Sequence, residues 1–192
     1  MTIYFTADLH LGHEKIIEYC NRPFKSLQEM DETIIHNWNS VIKNDDLVYF
    51  LGDFHWGNTS GFRKYADRLN GSIYFIPGSH DNYPTRNAMI SRGGSYFSFN
   101  EPIMEIYPKL KDEYGKDRLI VLCHYSMRSW NKSHYASYHL FGHHHGRLEP
   151  YGLSFDIGVD TNNFFPYSLD DIEKKMKTLK PIVDFRKGKQ SV

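Results

Sequence analysis

The stretch Thr2-Ile3-Tyr4-Phe5-Thr6-Ala7-Asp8-Leu9-His10 sets a pattern that the rest of the chain repeats. Ile3, Phe5 and Ala7 fall on one side of an alternating run, the period of a strand with one buried face, and the run closes on an acid and an imidazole. The same shape recurs. Residues 47–51 form a continuous apolar run closed by Gly52-Asp53. Residues 73–76 form another, broken at Pro77-Gly78 and continued by Ser79-His80-Asp81. Residues 119–123 lead to His124, and a run at 137–141 leads to Gly142-His143-His144-His145. Five predicted strands each deliver Asp or His at one end, where the loops of layered α/β proteins converge on one point.

Helical spacing fills the gaps. Ser26 and Glu29 make a capping-box pattern ahead of Leu27, Met30, Ile34, Ile35, Trp38 and Ile42. Phe62, Tyr65, Ala66 and Leu69 predict a second helix, stopped by Gly71. Residues 95–107 alternate without helix signals, Tyr114-Gly115-Lys116-Asp117 is a turn, and a strand at 153–159 leads to Asp160. Ser168 with Asp171 caps a final helix through about Lys180. The order β-α-β-α-β, then mostly β, then one helix predicts two packed sheets with helices outside, in place of one doubly wound sheet.

The 192 residues suit a single domain over 1–192. A chain of this mass buries about 70% of its extended surface, enough for a core without disulfide support. Twenty-three basic side chains balance twenty-three acidic ones, which argues against broad electrostatic capture of nucleic acid or acidic membrane. No apolar run reaches the length of a membrane span. The first residues lack a signal-peptide pattern, so a cytoplasmic location with Cys20 and Cys123 as reduced thiols is expected. The eleven histidines are an excess, and position has to explain it.

Spacing points to metal ligation. In extended backbone, residues two apart share a side, so Asp8 and His10 can face one centre, as can His143 and His145, with His144 pointing elsewhere. Gly52, Gly78 and Gly142 sit just before these residues, where a missing side chain lets the backbone approach closely. Carboxylates and imidazoles without thiolate suit Mn, Fe, Zn or Ni. Asp8, His10, Asp53, His124, His143 and His145 are more than one tetrahedral ion needs, and two ions sharing a carboxylate would use them all. Taken singly, each is a turn former, a helix cap or an ordinary hydrogen-bonded histidine; the joint pattern carries the reading.

Asp-x-His, Gly-Asp, Gly-Ser-His-Asp, His and Gly-His-x-His, in that order from Asp8 to His145, resemble the calcineurin-like metallophosphoesterases. Residues 8–13 (Asp-Leu-His-Leu-Gly-His) and 123–130 (Cys-His-Tyr-Ser-Met-Arg-Ser-Trp) are similar to the small predicted phosphoesterases of bacterial and phage type. The resemblance implies a four-layer α/β/β/α sandwich of two mixed sheets with two divalent ions, manganese first among the candidates. Carried over by motif, Asp8, His10 and His145 hold the first ion and Asp53 bridges. His124, His143 and Ser79 hold the second. His80 is the catalytic imidazole, oriented by Asp81, and a hydroxide shared by the ions attacks phosphorus in a phosphodiester or phosphomonoester.

Ser79 departs from the family pattern, which has Asn there. A hydroxyl on a shorter side chain reaches less far than an amide oxygen, so a weaker second ion is expected. That gives an alternative reading some ground: a catalytically impaired member acting as a binding scaffold. His13 reads either as a contact to the substrate phosphate or as a helix-start histidine. Tyr125, Arg128 and Trp130 follow His124 and read as substrate-binding residues, Arg128 as a phosphate clamp and the two aromatics as stacking partners for a base, against the plainer alternatives of a surface Arg and a packed Trp. His55 and Trp56 line the pocket or pack a loop. The expected partner is a small, nucleotide-like phosphoester. A metallo-β-lactamase-type hydrolase would need His-x-His-x-Asp-His early in the chain, and the sequence has none.

Overall fold

In the computed structural model, residues 1–57, 59–81, 89–92 and 95–183 are described. The elements run β1 (Ile3–Thr6), α1 (Lys15–Tyr19), α2 (Leu27–Val41), β2 (Leu47–Phe50), α3 (Thr59–Ala66) and β3 (Ser72–Phe75). Then come β4 (Met89–Arg92), β5 (Ser95–Phe99), β6 (Ile103–Ile106), β7 (Ile120–Cys123), β8 (Tyr138–Phe141), β9 (Ser154–Asp156), β10 (Tyr167–Ser168) and α4 (Leu169–Met176). One sheet has the order β10-β1-β2-β3-β5-β4 and the other β6-β7-β8-β9. Both are mixed. β1, β2, β3 and β5 run parallel between antiparallel edges, and β7, β8 and β9 run parallel beside antiparallel β6. Two mixed sheets flanked by helices, the predicted α/β class, is the architecture observed.

Three apolar clusters hold the layers. α2 and α3 bury Met30, Ile34, Trp38 and Phe62 against Val48, Phe50, Ile73 and Phe75 of the first sheet. Between the sheets, Phe5, Leu51 and Ile76 meet Ile120, Leu122, Leu140 and Phe155, and α4 closes this layer with Ile172 and Met176. Each fully buried side chain of this size contributes about 1.5–3 kcal/mol. Trp38 also satisfies its indole N–H on the Asn70 carbonyl at 3.0 Å, so its one polar atom is not stranded beneath α2. On the outer face of the second sheet, Trp130 packs against Leu119 and Val121.

Several predicted boundaries move for identifiable reasons. The alternating run 95–107 is two strands in different sheets, β5 and β6. Asn100 N–H ends the first ladder on the Phe75 carbonyl, and Pro102, with no N–H, cannot continue it. The final helix ends at Met176 and not near Lys180, because Thr178 and Leu179 close on carbonyls three residues back before Pro181. The second predicted helix likewise stops at Ala66, three residues short of Leu69. The strand expected at 153–159 is cut to β9, where the Asp156 carboxylate accepts Gly146 N–H and Gly158 N–H and turns the chain. At α2, Ser26 Oγ accepts Glu29 N–H at 3.2 Å, but the Glu29 carboxylate returns to Lys25 N–H, one residue upstream of the expected box. The full box forms at α4. Short α1, β4 and β10 carry no signal strong enough to predict them.

His139 is fully buried behind Trp130, with its Nδ1–H donated to the Val121 carbonyl at 3.0 Å and its Nε2 accepting Met127 N–H at 3.1 Å. Both nitrogens are engaged only in the neutral ring. Burial pulls its pKa down to about 4. The folded state therefore binds this proton less readily than the unfolded chain. The contribution is whole above pH 6.5 and falls away as the pH drops towards 4, by on the order of 3 kcal/mol. Denaturant melts of the wild type and of His139→Gln over pH 4–7 check this: the variant should show a shallower acid loss.

Candidate metal centre

All the ligand-type residues lie at the C-terminal ends of parallel strands. Asp8 and His10 follow β1, Asp53 follows β2, Ser79 and His80 follow β3, His124 follows β7, and His143 and His145 follow β8. The inter-sheet core brings both sets of ends together. Asp8 N–H donates to the Gly52 carbonyl, His10 N–H to the Asp53 carbonyl and Gly142 N–H to the His124 carbonyl, each at 3.0 Å. The Asp8 carboxylate then crosses between the sheets to accept His143 N–H at 2.9 Å.

Two groups result. Asp8, His10 and His145 place one ligand atom each within 4.8 Å of one another, and so do Asp53, His124 and His143. Asp53 Oδ2 lies between them, 3.7 Å from His10 Nε2 of the first group and 3.5 Å from His124 Nε2 of the second. These separations are long for hydrogen bonds and suit atoms arranged around a cation. Asp8 Oδ1, His10 Nε2 and His124 Nε2 are buried without a hydrogen-bond partner among the described residues. Orphaned acceptors in such number are costly unless something electropositive meets them. The donor set fits a divalent ion in each group.

The backbone shows how much is invested in this arrangement. Asp8, His10, Asp53, His143 and His145 have φ of 60°, 52°, 56°, 71° and 51°. Left-handed backbone costs a non-glycine residue on the order of 1 kcal/mol or more, and such residues concentrate at functional sites. The expectation from strand spacing is corrected here. Asp8 and His10 do share a centre, but from left-handed backbone and not as alternate residues of a strand. His143 and His145 belong to different groups. The glycines make room for the carboxylates. A Cβ on Gly142 would stand 2.6 Å from Asp8 Oδ2, and one on Gly78 would collide with Asp53 Oδ1.

Supporting contacts fix the imidazoles. His124 donates Nδ1–H to the Leu51 carbonyl at 2.7 Å, leaving Nε2 towards Asp53. His145 donates Nδ1–H to Asp160 Oδ2 at 2.7 Å. Arg22 grips Asp160 through Nε and Nη2, both at 2.8 Å, and also donates to the carbonyls of Asp8 and Leu9. Such outer contacts set ring orientation and basicity in metal sites. Asp160 was legible only as the residue closing a predicted strand, and Arg22 carries no motif at all.

Charge follows the same plan. Burial pushes Asp8 up to about 7, partly offset by His124 and His145. Burial acts on Asp53 in the same direction, but the nearby His124 imidazole, the His80 backbone N–H and His10 outweigh it and hold the acid well below the usual carboxylate range. For His145, burial is overcome chiefly by Asp160, which raises the ring to about 10. A cation at these groups would have to displace protons from Asp8 and His145.

Around the two groups stand the other residues expected at the site. Ser79 Oγ donates to Asp53 Oδ2 at 3.0 Å. His80 anchors its backbone N–H on Asp53 Oδ1 at 2.8 Å, and its exposed ring lies 5.8 Å from that of His10. Asp81 does not turn towards the His80 ring. Its carboxylate accepts Asp53 N–H and Gly78 N–H, both at 2.7 Å, and Phe54 N–H at 3.2 Å, so it clamps the loops after β2 and β3. His144 meets Ser126 Oγ. Tyr125 packs edge-on against His124 and His143. Arg128 lies over Tyr151, in a cavity lined also by Ser129 and Ser133 and by none of the six ligand residues. That position gives no basis for a phosphate clamp. His13 stacks on Trp56, 5.6 Å from the His10 ring.

Known proteins resemble this chain in sequence and in fold. The sequence profile described as calcineurin-like phosphoesterase matches residues 1–147. The chain is 32% identical over 194 residues to Uncharacterized protein MJ1445 of Methanocaldococcus jannaschii, covering 95% of this chain and 97% of that one. It is 33% identical over 105 residues to the Gene 66 protein of Mycobacterium phage L5, covering 52% and 50%. In fold it is similar to the crystal structure of AQ665 from Aquifex aeolicus, a protein of unknown function, with a TM-score of 0.63 at 22% identity over 91% of this chain and 98% of that one. Among the described residues, no helix is long and apolar enough to cross a membrane.

Proposed function

The chain belongs to the calcineurin-like phosphoesterase family, and from that membership and its two ligand groups we propose that it hydrolyses a nucleotide-like phosphodiester or phosphomonoester with two divalent ions, manganese foremost. The observation that carries this reading is Asp53 Oδ2, which faces an imidazole of each group at 3.7 and 3.5 Å. Asp8, His10 and His145 would hold one ion and His124 and His143 the other, with Asp53 common to both. When bound, such a pair activates water at neutral pH and draws charge from the phosphoryl oxygens. The chain's own part is orientation and proton supply. His80, exposed beside the first group, donates a proton to the leaving oxygen as its bond to phosphorus breaks, while water supplies the new oxygen. Asp81 acts at one remove, holding the Asp53 and Gly78 backbones from which these side chains project.

Ser79 weakens this machinery in two ways. It lacks the reach of the family's Asn, and its hydroxyl hydrogen-bonds Asp53 Oδ2, the oxygen the ions would share. Ser79→Asn is expected to raise turnover of bis-p-nitrophenyl phosphate at limiting Mn²⁺ by at least about tenfold, the scale on which supporting ligand-shell changes act. Assays of both proteins with the diester and with p-nitrophenyl phosphate, metal content measured in parallel, test the proposal. Turnover that rises in the variant supports it. Metal-loaded protein with no turnover of either ester in either form would favour the scaffold reading.

A further inference from the structure

Trp56 is half exposed, at 50%, whereas Trp38 and Trp130 are buried. It is not a stray surface ring. The His13 imidazole is stacked on the indole, centroids 4.4 Å apart and planes within 12°, and the His80 ring meets its edge at 5.1 Å. Tyr19 meets His13 edge-on from outside, so a chain of rings leads from solvent to the first ligand group.

The shelf is built to stay put. Trp56 N–H donates to the Leu11 carbonyl at 2.9 Å, which ties the loop after β2 to the loop after β1. Gly12 N–H donates to the buried Asp31 carboxylate at 3.1 Å, and Tyr65 Oη donates to the same group at 2.8 Å. Gly12 has φ of +78°, and a Cβ there would press on the Trp56 carbonyl at 3.3 Å and on Tyr65. A ring held in place by backbone and by a buried acid loses little freedom when a ligand lies against it.

We propose that the Trp56–His13 stack is a subsite for a planar heteroaromatic group carried on the leaving oxygen, so that the substrate class is a nucleoside phosphoester. The inference rests on the hydrolytic reading only in placing the leaving group on the His80 side. Two features select a base over a sugar alone. The subsite offers π-surface next to a centre that takes the phosphate, and the two side chains that meet the half-exposed indole, His13 and His80, are themselves planar rings. Stacking of a base on an aromatic side chain tolerates any base, so class and not base identity is assigned.

The test compares two non-hydrolysable ligands on the manganese-loaded protein, the phosphonate analogues of adenosine 5′-monophosphate and of ribose 5-phosphate. Calorimetric titration should show the adenosine compound binding roughly 5- to 150-fold more tightly, the equivalent of one stacked base, with quenching of tryptophan fluorescence from the single exposed indole. In Trp56→Ala the ratio of the two affinities should collapse towards one, and Trp56→Phe should fall between. Near-equal affinities in the wild type, or a ratio that survives Trp56→Ala, would overturn the proposal. Should the alanine variant fail to fold, adenosine-analogue binding without fluorescence quenching in the wild type overturns it equally. Hydrolysis of bis-p-nitrophenyl phosphate separates the two readings: turnover with no base preference removes the shelf alone, and base preference with no turnover removes the catalytic assignment alone.

Discussion

Asp53→Ala is expected to abolish phosphoester hydrolysis and to strip the protein of both ions. The reason is geometric. One carboxylate oxygen serves two imidazoles from different groups, so its loss opens both coordination sets together. The effect should exceed the roughly 10- to 100-fold typical of losing an outer-shell partner, because a shared anionic ligand is removed from between two cations. Folding should survive. The clamp that holds the loop uses the Asp53 backbone N–H and the Asp81 carboxylate, and neither is touched. Elemental analysis beside kcat/KM provides the check, with Asp53→Asn as a variant of the same shape and reduced charge. An alanine variant that keeps two ions and its activity would mean that Asp53 does not bridge.

The second large effect is expected at His80. His80→Ala should lower kcat by about 10²–10⁴-fold, the usual value of a positioned proton donor. Metal content should hold, since the contact from this residue to Asp53 is made by backbone N–H and not by the ring. The loss should also depend on the leaving group. p-Nitrophenol departs readily without a proton, whereas an alkyl or nucleoside oxygen needs one. A series of esters with rising leaving-group pKa should therefore show a steepening deficit in the variant. A uniform deficit across the series, accompanied by loss of metal, would assign His80 a structural role in its turn.

The ligand set was readable because each residue follows an apolar run that folds as a parallel strand, and parallel strands present their ends on one side. β1, β2 and β3 bring Asp8, Asp53 and Ser79 to one sheet edge, and β7 and β8 bring His124 and His143 to the other. What could not be read was conformation. Nothing in Asp8-Leu9-His10 announces two left-handed residues around a buried leucine, and strand spacing alone kept His143 with His145, which only the family motif divided between the two groups. The supporting shell was equally hidden. Arg22 lies 138 positions from Asp160, and their pairing emerges only once β9 has turned at Asp156. Asp81 misled in the other direction: adjacent to His80 in sequence, it faces backbone amides in space. Its burial pushes its pKa up to about 6 even against those three donors. The split of residues 95–107 between two sheets was legible in Pro102, which period-two alternation overshadowed.

The central claim is that two cations bind with Asp53 between them. Crystals equilibrated with Mn²⁺ and measured at the manganese absorption edge address it directly. The account predicts two anomalous peaks per chain, one among Asp8, His10 and His145 and one among Asp53, His124 and His143, with the Asp53 carboxylate within ligand distance of both. A single peak at saturating metal, or two peaks with Asp53 touching only one, would contradict it.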